Sequence, residues 1–289
     1  MAEQEVLILR AGRYLDSAKI VTFFSREEGR ITGFARGATS RENRFGASLE
    51  PLTRSRLALR RGTFSGMSRI LHADAIDSYP RIRADYDRLL WAGLIVRFLL
   101  GFLPEHHPEP ALFHLSCMAL DHLDDEGVSA GHVWESFARE ALSLLGWGIP
   151  GPVCRRCGQL GATGEDQQRA SPERFFFRAS DGAVFCQRCR LAEGGGDLWG
   201  VEAGILELLS QGGRLGEMGS GEERKGQPSL RDRLVFIDRV IGEHLPRWTS
   251  VSDLSFVGGE GEERGERARP KSEDEEVNAD GGGEHDQRS

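Results

Sequence analysis

The chain has 289 residues, with 37 Lys+Arg against 45 Asp+Glu, a formal net charge of −8 and five cysteines. That length suits two or so domains with ample core, and the longest apolar run, residues 89–103, is too short for a bilayer and contains Arg97. The acidic start, Met-Ala-Glu-Gln-Glu, argues against a signal peptide, and nothing in the cysteine usage calls for an oxidising compartment, so a cytoplasmic protein without a membrane anchor is expected.

The charge is unevenly spread. Residues 1–83 carry +6 and residues 258–289 carry −6, and such asymmetry says more about partners than the total does. Lys19, Lys225 and Lys271 are the only lysines, a bias that codon usage explains without any stability argument.

Residues 5–78 read as five strands: Val6–Arg10, Lys19–Phe24, Arg30–Arg36, Leu52–Leu59 and Met67–Ile76. Turns at short, regular spacing suggest a small barrel or sandwich. Arg54, Arg56 and Arg60 fall on one face of the fourth strand, because side chains alternate along a strand. Between strands three and four runs Gly37-Ala-Thr-Ser-Arg41-Glu-Asn-Arg44-Phe45-Gly46, a basic loop with an aromatic. A small barrel with a basic face and loop suits single-stranded nucleic acid: arginines follow phosphates and an aromatic stacks on bases. Arg36, Arg41, Arg44, Arg54, Arg56 and Arg60 are the residues assigned to that role. The competing reading is a solvated polar face.

From Asp85 the period becomes helical. Leu89, Leu90, Gly93, Leu94, Val96, Leu99 and Leu100 mark a first helix, and others are expected at 109–124, 130–146, with Ser129 as N-cap, 198–209 and 230–245. Pro104-Glu-His-His-Pro108 breaks the first. Cys117 sits in an apolar helical stretch and reads as a buried thiol. Residues 212–228 read as a mobile Gly/Glu-rich loop. From Gly258 the chain is almost free of apolar residues and should be disordered.

Between the helices stand Cys154-Arg-Arg-Cys157-Gly158 and Cys186-Gln-Arg-Cys189. Two thiolates two residues apart grip one metal from a tight turn, and two such turns complete a tetrahedral Cys₄ shell for one structural Zn²⁺. Gly158 supplies the positive φ such a turn often needs. Phe175-Phe176-Phe177 reads as a strand, Asp181-Gly182 as a hairpin turn and Val184-Phe185 as the strand delivering Cys186. The alternatives are two disulfides or a redox pair, although a redox CxxC normally stands alone beside a βαβ pattern.

No phosphate-binding GxxxxGK[ST], HExxH or GxSxG motif occurs. His107-Pro-Glu109 with Pro152-Val-Cys154-Arg-Arg-Cys157 partly matches the zinc-deaminase signature, but Pro152 is not adjacent to the cysteine and Cys186 and Cys189 would be unexplained. His106, His107, His114 and His122 read as linker or helix-surface residues.

Three stretches carry a family resemblance. They are Asp16-Ser-Ala-Lys19 through Phe24 with Glu28-Gly29-Arg30-Ile-Thr-Gly-Phe-Ala-Arg36-Gly37-Ala38, then Arg44-Phe-Gly-Ala-Ser-Leu-Glu-Pro51, then Phe137-Ala-Arg-Glu-Ala-Leu-Ser-Leu-Leu145-Gly146 followed by the four cysteines. Over residues 5–248 the chain resembles the bacterial DNA repair and recombination protein RecO family. The resemblance implies an α+β protein with an OB-fold at residues 1–80. It also implies a helical domain in two parts, 81–149 and 195–250, around an inserted zinc module at 150–194. A disordered acidic tail, 251–289, lies outside it. The implied function is a non-enzymatic recombination mediator. Family members bind single- and double-stranded DNA, anneal complementary strands, and with RecR help RecA replace the single-strand-binding protein SSB. The acidic C-terminal peptide of SSB docks on the helical domain, where Arg97 and Arg139 are rim residues here or ordinary solvent-facing charges. Since some members lack the cysteines, the metal's implied role is structural. Trp248-Thr-Ser-Val-Ser-Asp253-Leu departs from the family by lacking a basic residue beside serine. The competing function is a non-enzymatic zinc-ribbon/OB module that binds RNA or a protein.

Overall fold

The computed structural model describes residues 2–14, 16–40, 43–60, 67–161, 173–193, 197–213, 215–217 and 227–248. Five strands, β1 (Ala2–Tyr14), β2 (Ala18–Ser25), β3 (Gly29–Arg36), β4 (Arg54–Arg60) and β5 (Ser68–Asp77), close into a barrel in the order β1-β2-β3-β5-β4. All pairs are antiparallel except β3 with β5, and this is the strand order of an OB-fold. Closure removes exposed sheet edges. Val6, Ile8, Val21, Phe23, Ile31, Ala35, Leu57 and Ile70 fill the interior, and Phe45 joins them from the β3–β4 loop. β1 is longer than its apolar run because a bulge between Ile8 and Arg10 lets it bend and pair with both β2 and β4.

Helices follow: α1 (Pro80–Ala84), α2 (Tyr86–Phe102), α3 (Pro110–Leu123), α4 (Ala130–Leu144), α5 (Ala203–Gln211) and α6 (Leu230–His244). Asp85 caps α2 by accepting from the backbone N–H of Asp87 and Arg88, and Ser229 caps α6 by accepting from that of Asp232. Ser129 stands at the N-cap position of α4, but its side chain makes no capping bond. The helices share one large core with the outer face of the barrel, where Phe24 packs edge-on against Phe113 at 5.4 Å. The linker after α2 lies against the barrel as well. The His106 N–H donates to the Arg30 carbonyl at 3.0 Å, and Gly29, at φ +77, lies so close that a Cβ there would stand 2.1 Å from the His107 carbonyl oxygen.

A second, three-stranded sheet has the order β7-β6-β8, from β6 (Arg174–Arg178), β7 (Ala183–Cys186) and β8 (Leu198–Glu202). β8 corrects the expected helix at 198–209. Its Trp199 and Val201 are buried while Gly200 is exposed, a period of two, and it pairs along all five residues of β6 before the helix starts at Ala203. The loop expected at 212–228 is partly ordered too: Leu215–Glu217 is a 3₁₀ turn, and Leu215 is fully buried. No helix among the described residues is long and apolar enough to cross a membrane. The tail from Gly258 lies outside the described residues.

Candidate metal centre and nucleic-acid interface

The first CxxC forms a closed turn. The Gly158 N–H donates to the Cys154 carbonyl at 2.8 Å, the Cys154 N–H donates to the Gln159 carbonyl at 2.8 Å, and Gly158 takes φ +74. The Arg155 N–H donates to the Val184 carbonyl at 2.8 Å, tying this turn to β7. The second pair arrives on the β6–β7 hairpin. Gly182 turns it at φ +64, and Asp181 accepts two 2.9 Å bonds from Arg178 and one from Arg155. The Arg178 guanidinium holds the Asp181 carboxyl down at about 2. Cys186 ends β7, and Cys189 opens a 3₁₀ turn.

The four Sγ atoms of Cys154, Cys157, Cys186 and Cys189 lie within 4.8 Å of one another. All four are free thiols, and Cys157 and Cys186 are 3.8 Å apart. A tetrahedral metal with bonds of about 2.3 Å sets sulfurs about 3.8 Å apart, whereas a disulfide needs about 2.05 Å. The arrangement could therefore hold a metal ion, and the donor set fits a thiophilic one. Burial pushes the Cys154 thiol up, but the backbone N–H groups of Cys186, Cys157 and Arg156 outweigh that and bring it down to about 6. Cys189, penalised first by desolvation and then by hydrogen bonds with the other three thiols, is pushed up to about 12. Among the described residues, these cysteines are the only group arranged to hold a metal. His107 and Glu109 are 3.4 Å apart beside the barrel and belong to no such group.

Cys117 is buried on α3, and burial pushes its thiol up to about 12, so it is an inert core residue.

The arginines assigned to nucleic acid fall in different settings. Arg36 is exposed at the end of β3, and Arg56 and Arg60 are exposed on β4. Arg44 is exposed, with its guanidinium 5.0 Å over the Phe45 ring. Phe45 itself is buried in the barrel, so it is not the stacking aromatic that the loop suggested. Arg54 shares the outward face of β4 but bonds Glu5 at 2.6 Å and stands 3.9 Å from Asp121. Burial lowers its pKa, yet the Glu5 carboxylate more than compensates and leaves it raised. Arg41 lies outside the described residues.

A further arginine on the barrel, not singled out from the sequence, is Arg69. It stands opposite Phe34 of β3 on one side and opposite Arg60 on the other. The alternation Ser68-Arg69-Ile70, with Ile70 buried, was the available signal.

On the helical body, Arg97 and Arg139 are not plain solvent-facing charges. Arg97 donates to the Arg247 carbonyl at 2.8 Å and lies 5.3 Å over the Trp248 ring. Arg139 donates to the Gly213 carbonyl and pairs with Glu140 at 3.5 Å. Arg97 thus ties down the segment after α6, and Arg139 the segment after α5.

Known proteins match the chain in sequence over both of these parts. The family signature "Recombination protein O N terminal" matches residues 1–79, the barrel, and "Recombination protein O C terminal" matches residues 83–249, the helices and the cysteine module. The chain is 31% identical over 254 residues to the "DNA repair protein RecO" of Geobacter metallireducens, covering 88% of this chain and 95% of that protein. It is 30% identical to the protein of that name from Geobacter sulfurreducens, over 88% and 96% of the two chains. Against that of Pelobacter propionicus it is 31% identical, over 89% and 97%. Both signatures in order, and relatives matched nearly end to end, place the barrel and the cysteine-bearing helical body in one lineage: the chain belongs to the Recombination protein O (RecO) family.

Proposed function

We propose that this protein is a DNA repair factor that binds single- and double-stranded DNA, anneals complementary strands and, with RecR, helps load RecA onto SSB-coated single strands. The observation that carries the reading is the closed five-stranded barrel, with Arg36, Arg44, Arg56 and Arg60 exposed on its surface, in a chain of this family. The mechanism is non-covalent. Arginines on the barrel neutralise backbone phosphates and release their counterions, so two complementary strands approach with reduced repulsion. No bond in the DNA is made or broken, and the protein acts as a mediator rather than an enzyme.

The cysteine module holds one Zn²⁺ through Cys154, Cys157, Cys186 and Cys189. A closed four-thiolate shell leaves no open position for substrate, so the ion's work is structural. The SSB C-terminal peptide docks on the helical domain. Because Arg97 and Arg139 are committed to main-chain carbonyls, a role at the peptide's rim would come on top of a structural one. The protein works in the cytoplasm at the nucleoid. As domains, residues 1–80 are the DNA-binding barrel, 81–149 and 195–250 the helical body, 150–194 the zinc module and 251–289 the acidic tail.

The test is annealing of two complementary fluorescent strands, bare and coated with SSB. The protein should accelerate both reactions at low salt and lose the acceleration as salt rises. Annealing no faster than the spontaneous rate on either substrate would refute the reading.

A further inference from the structure

The register of β1, β2 and β3 assembles an outward surface of unusual composition. Cross-strand partners share a face. Val21, Ile31 and Ala35 point into the barrel, so their neighbours point out. One outward row runs Gly12, Ile20, Phe34, Arg69 and Arg60, and the next runs Tyr14, Ala18 and Arg36. Tyr14 and Phe34 meet edge to face, with centroids 5.8 Å apart and planes at 88°. Tyr14 is 42% exposed and Phe34 partly so. Bulk is missing around them: Ala18 sits opposite Tyr14, and a Cβ at Gly12 would meet no atom within 4 Å.

The charge on the strand positions of this surface is one-sided, and the one acid in the β1–β2 turn between Tyr14 and Ala18 is the exposed Asp16. None of the outward positions on β1–β3 from Arg10 to Tyr14, Ala18 to Thr22 and Thr32 to Arg36 is acidic. Arg36, Arg60 and Arg69 make no ion pair among the described residues, in contrast to Arg54 with Glu5. An edge-to-face pair also leaves ring area open, since the ring that presents its edge keeps both its faces clear of its partner. Large aromatics left open beside arginines with no ion pair among the described residues suit a ligand that is flat and apolar at one end and anionic at the other. An unpaired nucleotide is such a ligand, whereas the bases of a duplex are already stacked on each other.

We propose that Tyr14 and Phe34 are a base-stacking platform that takes bases of a single strand, with Arg36 and Arg69 on the adjoining phosphates. The inference rests on the reading of the barrel as the DNA-binding domain and adds what selects unpaired from paired strands. During annealing, the platform holds bases apart from one another, and duplex formation removes them from it, so the product leaves.

The experiment measures binding of the full chain to three probes of equal length: a fluorescent oligothymidine, the same backbone with abasic residues, and a duplex. Tyr14→Ala should weaken the oligothymidine on the order of ten-fold while leaving the abasic strand, the duplex and the salt slope unchanged. Tyr14→Phe, which keeps the ring, should restore the affinity. Because Tyr14 is exposed, its removal threatens the fold less than Phe34→Ala would. Arg36→Ala/Arg69→Ala should weaken all three probes and flatten the salt slope. If Tyr14→Ala retains the wild-type preference for oligothymidine over the abasic strand, while the arginine variant weakens every probe, the platform is overturned and the barrel reading stands. If neither variant changes any affinity, DNA binds elsewhere and both readings fall.

Discussion

Arg54 and Arg56 are two residues apart on one face of one strand, and their surroundings give them different work. Arg54 is 2.6 Å from Glu5 and close to Asp121 across the seam between barrel and helices. Arg56 is exposed, opposite Asp74. A cation already neutralised releases few counterions on meeting a phosphate. Arg60→Ala should therefore flatten the plot of log K against log salt by about 0.7 on single strands, and Arg54→Ala should leave that slope in place while lowering the thermal midpoint. Measuring both slopes decides it; equal changes would mean that the Glu5 pair opens on binding. Cysteine is the other decisive residue type. Freshly purified, reduced protein should contain close to one zinc, and Cys186→Ser should lose it. Structural zinc sites carry on the order of 10 kcal/mol of folding energy, so loss of the ion should also expose the module's backbone to hydrogen exchange. Full protection in metal-free protein would refute the structural role.

At the scale of elements, sheet periodicity and helix periodicity survive in the sequence wherever an element is long. Strands β2 to β5 and the helices α2, α3, α4 and α6 lie close to where alternation and the 3.6 period put them, whereas β1 extends four residues beyond its apolar run Val6–Arg10 at each end. The cysteine spacing likewise placed all four thiols at one point. What failed was decided by partners remote in sequence. Residues 198–202 are strand because β6 offers them an edge more than twenty residues earlier. Phe45 looks like a loop aromatic, but it is buried among the apolar side chains of the barrel. Glu5 neutralises Arg54 across 49 positions, and no local pattern signals it. The same dependence on remote partners sets the stability of α4 and α6. Arg233 reaches Glu135 with two bonds, of 2.6 and 3.1 Å, between side chains 8% and 13% exposed. Removing Glu135 takes the carboxylate from a buried guanidinium that keeps its bond to the Pro228 carbonyl, at a cost of about 3–5 kcal/mol. Glu135→Ala should show that loss in denaturant unfolding, and Glu135→Gln, which keeps hydrogen-bonding capacity, should lose less. A loss below about 1 kcal/mol in Glu135→Ala would mean that Arg233 finds solvent instead.

For the whole molecule, the distribution of charge opposes the proposed ligand in a way that composition makes quantitative. The chain carries −8, and residues 258–289 alone carry −6, which leaves −2 on the rest and +6 on residues 1–83. DNA approaching the barrel meets an attractive local field from its arginines and a repulsive one from the acidic tail, which is tied to the same chain. The two differ in range. Contacts between arginine and phosphate act at a few ångströms and persist at moderate salt, whereas repulsion by a tethered polyanion acts over longer distances and is screened beyond about 8 Å at physiological ionic strength. Truncation after Val257 should therefore tighten single-strand binding at low salt, chiefly through a faster association rate, because long-range fields steer encounter more than they hold the complex. The gain should shrink steadily as salt rises. Association rates for full-length and truncated protein, measured across a salt series, test this. Equal rates at the lowest salt would show that the tail's charge never reaches the barrel's field and serves solubility alone.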